Sequence, residues 1–253
     1  MLSKNKIKFI RSLHTNKGRE AENCFVAEGE RILKELIDSN GNIVEIIALP
    51  EWIDAHKSIQ TSFPIIEANQ SEINAVSSLN SPQHVLCIVE INVKTLHIKN
   101  ITDQLVIALD KIQDPGNMGT IIRLANWFGI ESILCSNDCV DIYNPKVIQA
   151  TMGAIAKTTV YYCNLEQSLQ EYASITDNPI YGTFLDGENI YQKQLSPIGI
   201  IVLGNEGNGI SETIQRTVSS RITIPSFNNS GVVESLNVSI AAAIICSEFK
   251  RKT

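Results

Sequence analysis

No Cys-x-x-Cys pair, no Gly-Lys-Ser/Thr phosphate loop and no dinucleotide-type Gly-x-Gly-x-x-Gly occurs in the 253 residues of this chain. The six cysteines, at 24, 87, 135, 139, 163 and 246, follow no regular spacing, so reduced and mostly buried thiols are the expectation rather than a disulfide framework. Cys135 and Cys139 have no histidine nearby and make a poor zinc site, so no metal is expected. The missing phosphate loop and dinucleotide fingerprint together argue against a nucleoside triphosphate or NAD as ligand. No apolar run approaches a membrane span, and the charged start Met-Leu-Ser-Lys-Asn-Lys-Ile-Lys is not followed by a hydrophobic signal core. The expectation is a cytoplasmic protein with no membrane partner. Acidic residues are absent from the first nineteen positions, which hold Lys4, Lys6, Lys8, Arg11, Lys17 and Arg19.

That basic segment carries +6 while the whole chain carries −6, so the remainder carries −12. A basic leading stretch on an acidic body is the asymmetry expected when one surface approaches phosphates, although a solvated basic terminus accounts for it as well. Hydrophobic residues make up 43% of the chain, enough for one large or two ordinary domains with packed cores.

The first half alternates short helices and strands. Ser3 can cap a helix running through Leu13, with Ile7, Ile10 and Leu13 on one side. A polar turn, Thr15 to Glu22, precedes an apolar strand at Cys24 to Ala27, and a helix opens at Glu28-Gly29-Glu30-Arg31. Further strands are read at Val44 to Leu49, Phe63 to Ile66 and Val85 to Ile91, with Pro50 starting a helix and Asn69 with Glu72 imitating a capping box. A small α/β domain over residues 1–95 follows, with a linker at Val93 to Ile101.

The second half, 103–253, alternates again. Its strands Leu105 to Leu109 and Ile200 to Leu203 are apolar without alternation, as in a parallel sheet covered on both faces, so a doubly wound sheet is expected. Ligands bind such sheets beyond the C-terminal strand ends. Three polar stretches lie there: Asp110 to Asn117, Gly204 to Gly209, and Pro225 to Asn237. Gly204-Asn205-Glu206-Gly207-Asn208-Gly209 can bring bare backbone against a flat ligand, or can be a tight turn only. Ser235 is the expected N-cap of the last helix, with Asn237 one step inside it; a capped core helix explains that stretch equally well. The helix itself is apolar nearly all round, which suits burial in the core or against a partner.

Taken in order, the stretches Ala108 to Gly129, Ile200 to Ser211 and Ile224 to Phe249 resemble the signature motifs of the SpoU (TrmH) family of RNA ribose methyltransferases in the SPOUT superfamily. The resemblance implies a C-terminal trefoil knot, a homodimer, and S-adenosylmethionine held by the backbone around Gly204, Ile224 and Leu236. It implies further that Asn117, Arg123, Glu206, Ser235 and Asn237 surround the transferred methyl group and the ribose. One departure stands out, since Ser226 to Ser230 puts five residues between Pro225 and Gly231 where the family usually has about two. Phe25 to Gly29 and Ser81 to Val85 look like the family's accessory RNA-holding domain, which makes Lys17, Arg19 and Arg31 candidate RNA contacts beside Arg123, although a helix-start charge at Glu28 and a surface cation at Arg31 account for those two equally well.

A guanidinium with a pKa above about 12 is a poor free base. Arg123 is therefore assigned to gripping an RNA phosphate and orienting the hydroxyl, with Glu206 fixing the guanidinium; an ordinary ion pair is the plain alternative. The implied activity is 2′-O-methylation of structured RNA, ribosomal before transfer RNA. A non-catalytic ribosome-assembly factor of the same fold, or an α/β enzyme for a small adenine-containing substrate, are the competing readings.

Overall fold

The computed structural model describes residues 1–57, 59, 62–228 and 235–251. The chain divides into two compact units, Met1–Val93 with Asp141–Lys157, and Lys94–Val140 with Thr158–Thr253.

The first unit runs α1 (Lys4–Ser12), α2 (Asn16–Glu22), β1 (Cys24–Glu28), α3 (Glu30–Asp38), β2 (Ile43–Ala48), α4 (Pro50–Ala55), β3 (Ile65–Glu67), α5 (Gln70–Val76) and β4 (Val85–Glu90), and it takes in the helix Pro145–Thr151. Its sheet has the order β1-β4-β2-β3, antiparallel except for the β2–β3 pair. Successive strand residues point to opposite faces, and both faces are apolar here. Phe25, Ala27, Ile46, Ala48 and Cys87 pack with Leu33 and Leu36 of α3 and with Ile148. Val26, Ile47, Leu86 and Ile88 pack with Ile10 and Leu13 on one side of α1's turn and with Ile73 and Val76 of α5.

Local signals set the helix starts. Ser3 accepts the Lys6 N–H at 3.1 Å, and Asn69 with Glu72 forms a complete capping box. Where the sequence suggests a polar turn, α2 forms instead. Thr15 caps it by accepting the Gly18 N–H at 3.1 Å, and no apolar periodicity advertises it. Gly18 is required by packing, since a Cβ there would stand 2.0 Å from the Ser12 carbonyl oxygen.

Two charged residues are structural. Glu28, the last residue of β1 and 5% exposed, accepts the Ser78 N–H at 2.8 Å and the Ser78 hydroxyl at 2.6 Å, together with the Ser77 hydroxyl. Arg19, expected to contact RNA, is 3% exposed: Nε and Nη2 donate to Asp141 Oδ2 at 2.9 and 2.5 Å, and Nη1 donates to the Leu13 carbonyl at 3.0 Å. A guanidinium buried with its hydrogen bonds made is unavailable to phosphates, so the expectation for Arg19 is corrected.

The second unit contains β5 (Leu105–Leu109), α6 (Pro115–Trp127) and β6 (Ser132–Ser136); α7 is the Pro145–Thr151 helix of the first unit. The second unit then continues with β7 (Thr159–Cys163), α8 (Leu165–Ile175), β8 (Ile180–Asn189), β9 (Gly199–Leu203), α9 (Glu212–Gln215), β10 (Ser220–Thr223) and α10 (Val238–Arg251). Its sheet is parallel throughout, in the order β10-β8-β9-β5-β6-β7. Val106, Ala108, Ile180, Ile200 and Val202 face Leu169 and Tyr172 of α8 and Ile214 of α9. On the opposite face Tyr181 meets Phe249 of α10 edge-on, with ring centroids 4.9 Å apart. Helices therefore cover both faces, as the unbroken apolar strands require.

The chain moves outward from β5 to β7 on one side and lays β9 against β5 on the other, so the order of winding reverses between β5 and β9. Such a switch point opens a crevice at the C-terminal strand ends. Among the described residues no helix is long and apolar enough to cross a membrane.

Removing one partner of a buried ion pair leaves the other poorly solvated, at about 3–5 kcal/mol when burial is complete. Asp141 keeps 29% of its side chain exposed, which offsets part of that. Arg19→Ala should therefore lower the stability of the first unit by about 2 kcal/mol in urea unfolding; a loss below about 0.5 kcal/mol would contradict a structural Arg19.

Candidate active site

At the end of β5 the chain is held by groups from several neighbouring segments. Asp110, 2% exposed, accepts the Ser211 N–H at 2.7 Å through Oδ2, while its own N–H donates to the Leu203 carbonyl at 2.9 Å. Lys111 takes a left-handed conformation, φ 58°, which an L side chain adopts only when its surroundings impose it. They do: Lys111 N–H donates to Ser136 Oγ at 2.9 Å, its carbonyl accepts Asn205 Nδ2 at 2.9 Å, and Ile112 N–H donates to Cys139 Sγ at 3.3 Å. Asp114 then caps α6 by accepting the Asn117 N–H at 2.8 Å, with Pro115 in the first helical position. The helix starts at Pro115, which puts Asn117 in its first turn.

The glycine loop after β9 closes on itself. Asn205 and Gly209 exchange backbone hydrogen bonds at 3.0 and 2.8 Å, and Asn205 Oδ1 accepts the Gly207 and Asn208 N–H groups at 2.9 and 3.2 Å. A Cβ at Gly204 would come within 2.2 Å of the Gly209 carbonyl carbon, so only glycine permits this closure. Glu206 is thereby presented at the loop tip.

Three distant positions meet there. Asn117 Nδ2 donates to Glu206 Oε1, and Asn237 Nδ2 donates both to Asn117 Oδ1 and to Glu206 Oε1, each at 3.0 Å. The amide orientations follow from the helix. Asn237 Oδ1 accepts the Ser239 N–H at 3.0 Å, the Ser239 hydroxyl at 2.6 Å and the Ile240 N–H at 3.3 Å, so its NH₂ must face the site. Asn237 is therefore the N-cap of α10, a correction to the expectation that Ser235 plays that part. A cleft of about 380 Å³ adjoins this cluster, lined among others by Asp114, Asn117, Asn205, Glu206 and Val238.

The structure does not bring every candidate into this group. Arg123 is exposed on α6 and, among the described residues, has no hydrogen bond or ion pair; Glu206 does not hold it, contrary to the expected pairing. Six residues on a helix amount to about 9 Å of rise and to a different face, which separates Arg123 from Asn117. Ser235 is exposed and outside the cluster. Gly204 and Ile224 directly follow β9 and β10, and Leu236, 46% exposed, directly precedes Asn237, so these three stand at loop positions of the second unit. Of the longer loop, Ser226 to Asn228 are exposed, while Asn229 and Ser230, with Gly231 to Glu234, lie outside the described residues. In the first unit, Lys17 and Arg31 are exposed.

Asp110, Asp114, Asn205, Ser136 and Cys139 also build the site and were not singled out from sequence. A carboxylate directly after a buried strand, and an amide beside a glycine run, are the signals that could have found Asp110 and Asn205. Nothing local marks Ser136 or Cys139, whose roles depend on β6 lying beside β5.

A parallel α/β sheet with a polar side-chain cluster beyond its switch point defines a ligand-binding α/β enzyme domain. The model of the SpoU rRNA Methylase family matches residues 104–247, and the chain belongs to that family. Residues 4–87 match an MRM3-like substrate binding domain. The chain is 29% identical over 241 residues to the 23S rRNA (guanosine(2553)-2′-O)-methyltransferase RlmP of Bacillus subtilis, covering 95% of this chain and 94% of the relative. It is 28% identical to the 23S rRNA (guanosine-2′-O-)-methyltransferase RlmB of Neisseria meningitidis, over 78% of this chain and 80% of the relative. A Porphyromonas gingivalis structure assigned to the TrmH family of RNA methyltransferases superposes with a TM-score of 0.89 at 34% identity, over 100% of both chains. An AdoMet-bound rRNA methyltransferase from Sinorhizobium meliloti gives 0.86 at 25% identity, over 100% of this chain and 97% of that one.

The Cys139 thiol is drawn down to about 7 by the neighbouring Cys135 thiol, and further by Ser136 and the amides of Ile112 and Lys111, against the burial that raises it. Its ordinary value is 9.0, so ionisation in the folded state stabilises the protein fully above pH 9, and this contribution fades as pH falls to 7. The stability difference between wild type and Cys139→Ser should thus narrow from pH 9 to pH 7, as read by urea unfolding at each pH; a difference independent of pH would contradict this role.

Proposed function

We propose that this chain is an S-adenosylmethionine-dependent methyltransferase that methylates a ribose 2′-hydroxyl in structured RNA, and ribosomal RNA in particular. The observation that carries the reading is the convergence of Asn117, Glu206 and Asn237 from three separate motifs onto one carboxylate oxygen. The two named relatives covering most of the chain act, by their names, on 23S rRNA guanosines, which favours ribosomal RNA over transfer RNA and makes guanosine the first nucleotide to test.

The donor set suits the cofactor. Among the described residues no lysine or arginine lines the cleft, whereas the carboxylates Asp114 and Glu206 and the amides Asn117 and Asn205 do, which disfavours a phosphate-bearing ligand and favours one with a positive centre. Backbone around Gly204, Ile224 and Leu236 would hold S-adenosylmethionine. When bound, it supplies a methyl group on a sulfonium that leaves as a neutral thioether, so neither a metal nor an acid is needed at that end.

Alignment is then the protein's main contribution, since holding reactants in line supplies about 7–11 kcal/mol. Asn117 and Asn237, with their amides oriented by the α10 cap, fix the Glu206 carboxylate as an acceptor for the ribose. Arg123, exposed and without an ion pair among the described residues, grips an RNA phosphate away from the cluster and so holds the strand in place, and a phosphate oxygen or solvent takes the proton. Residues 1–95 hold RNA, through Lys17 and Arg31 among others, and residues 103–253 carry out the transfer. The same reading makes the C-terminal segment a trefoil knot, the protein cytoplasmic, and the assembly a homodimer. Ile240, 52% exposed on an otherwise largely buried helix, supports the dimer.

Arg123→Ala should lower methyl transfer to RNA by about 10²-fold or more, with melting temperature and S-adenosylmethionine affinity unchanged. Transfer at the wild-type rate would overturn its assignment. Sedimentation equilibrium should give twice the 27.9 kDa chain mass; a monomer would overturn the dimer.

A further inference from the structure

Five of the six cations of the leading segment, all but Lys17, separate into two groups once folded. Arg19 is buried against Asp141, and Lys6 pairs with Glu45 while lying 5.1 Å from the Phe9 ring centroid. Lys4, Lys8 and Arg11 are exposed and, among the described residues, make no ion pair. Their spacing, i, i+4 and i+7, sets them along one face of α1, and no acid occurs in this segment to neutralise them. The opposite side of the segment, Ile10 and Leu13, is fixed in the core.

From this we infer that the Lys4–Lys8–Arg11 face of α1 is a phosphate-contact strip that binds the RNA backbone without reading its sequence. It rests on the reading of the chain as an RNA-acting enzyme and adds a surface that the motifs do not include. Three unpaired cations in a row are what a phosphate backbone recognises, and each contact releases counterions from the nucleic acid. An anionic membrane is the less suitable partner, because the apolar side chains that would enter a bilayer are already buried against the sheet.

The strip is tested with the full-length protein and unmodified large-subunit ribosomal RNA made by transcription, measuring binding against salt and the KM for RNA in methyl transfer. Replacing Lys4, Lys8 and Arg11 together by Gln should make the log–log salt slope shallower by about two to three units and raise KM. Lys6→Gln, which removes a charge already neutralised on the same helix, should change the slope by less than about one unit. S-adenosylmethionine affinity should stay at the wild-type value in both, and melting temperature in the triple variant, whereas Lys6→Gln leaves Glu45, 12% exposed, without its partner and lowers the melting temperature.

A triple variant with wild-type slope and KM, while the wild type methylates this RNA, overturns the strip and leaves the enzymatic reading intact. Equal effects from Lys6→Gln and Lys8→Gln would reduce the strip to general charge and also overturn it. So would a loss confined to binding of phosphatidylserine vesicles. A wild type that neither binds nor methylates RNA overturns both readings.

Discussion

The side-chain oxygen of Asn237 accepts the first free amides of α10, and the rest of the site depends on that cap. A helix N-terminus offers only donors, so the Asn237 amide has one satisfactory orientation, with its NH₂ directed outward. That NH₂ meets Asn117 Oδ1, which turns the NH₂ of Asn117 toward Glu206. A helix start thus sets two amide orientations and the position of one carboxylate, with no positive charge in the chain of contacts. The carboxylate is held by neutral donors and remains available to a ligand.

Each member of this cluster is supported by a different constraint. Asn117 is buried in the first turn of α6, capped by Asp114 and preceded by a segment pinned through Ser136 and Cys139. Glu206 stands on a loop whose closure tolerates no side chain at Gly204. Both supports arise because β9, β5 and β6 lie side by side, so the sheet order determines which loops can meet. Lys111, left-handed despite its Cβ, is the visible strain in the arrangement.

Much of this was legible in the chain itself. Unbroken apolar strands pointed to a covered parallel sheet, and Ser3 and Asn69 acted as helix starts where they were read. Asn117, Glu206 and Asn237 came as site candidates from the resemblance of their stretches to the SpoU motifs, while the residues alone showed polar, glycine-containing loops after buried strands. What escaped depends on contacts remote in sequence. Ser235 and Asn237 are both good caps, and only the three-dimensional path of the loop decides between them. The burial of Arg19 needs Asp141, which lies 122 residues away. The segment Asp141–Lys157 sits in sequence amid the second unit but packs with the first, through Ile148 among others. The partner of Glu206 was misread because an arginine near a carboxylate in a motif suggests an ion pair, whereas helix geometry turns Arg123 to another face.

The central claim is that this cluster aligns a ribose oxygen for methyl transfer, and the position of the transferred methyl group tests it most directly. Unmodified ribosomal RNA would be incubated with the protein and S-adenosylmethionine labelled in its methyl group, then hydrolysed with alkali, which cannot cleave next to a methylated 2′-oxygen. The account predicts label in an alkali-resistant dinucleotide, hence on a ribose. Label recovered on a base, or no transfer by the folded, cofactor-binding protein, would contradict it.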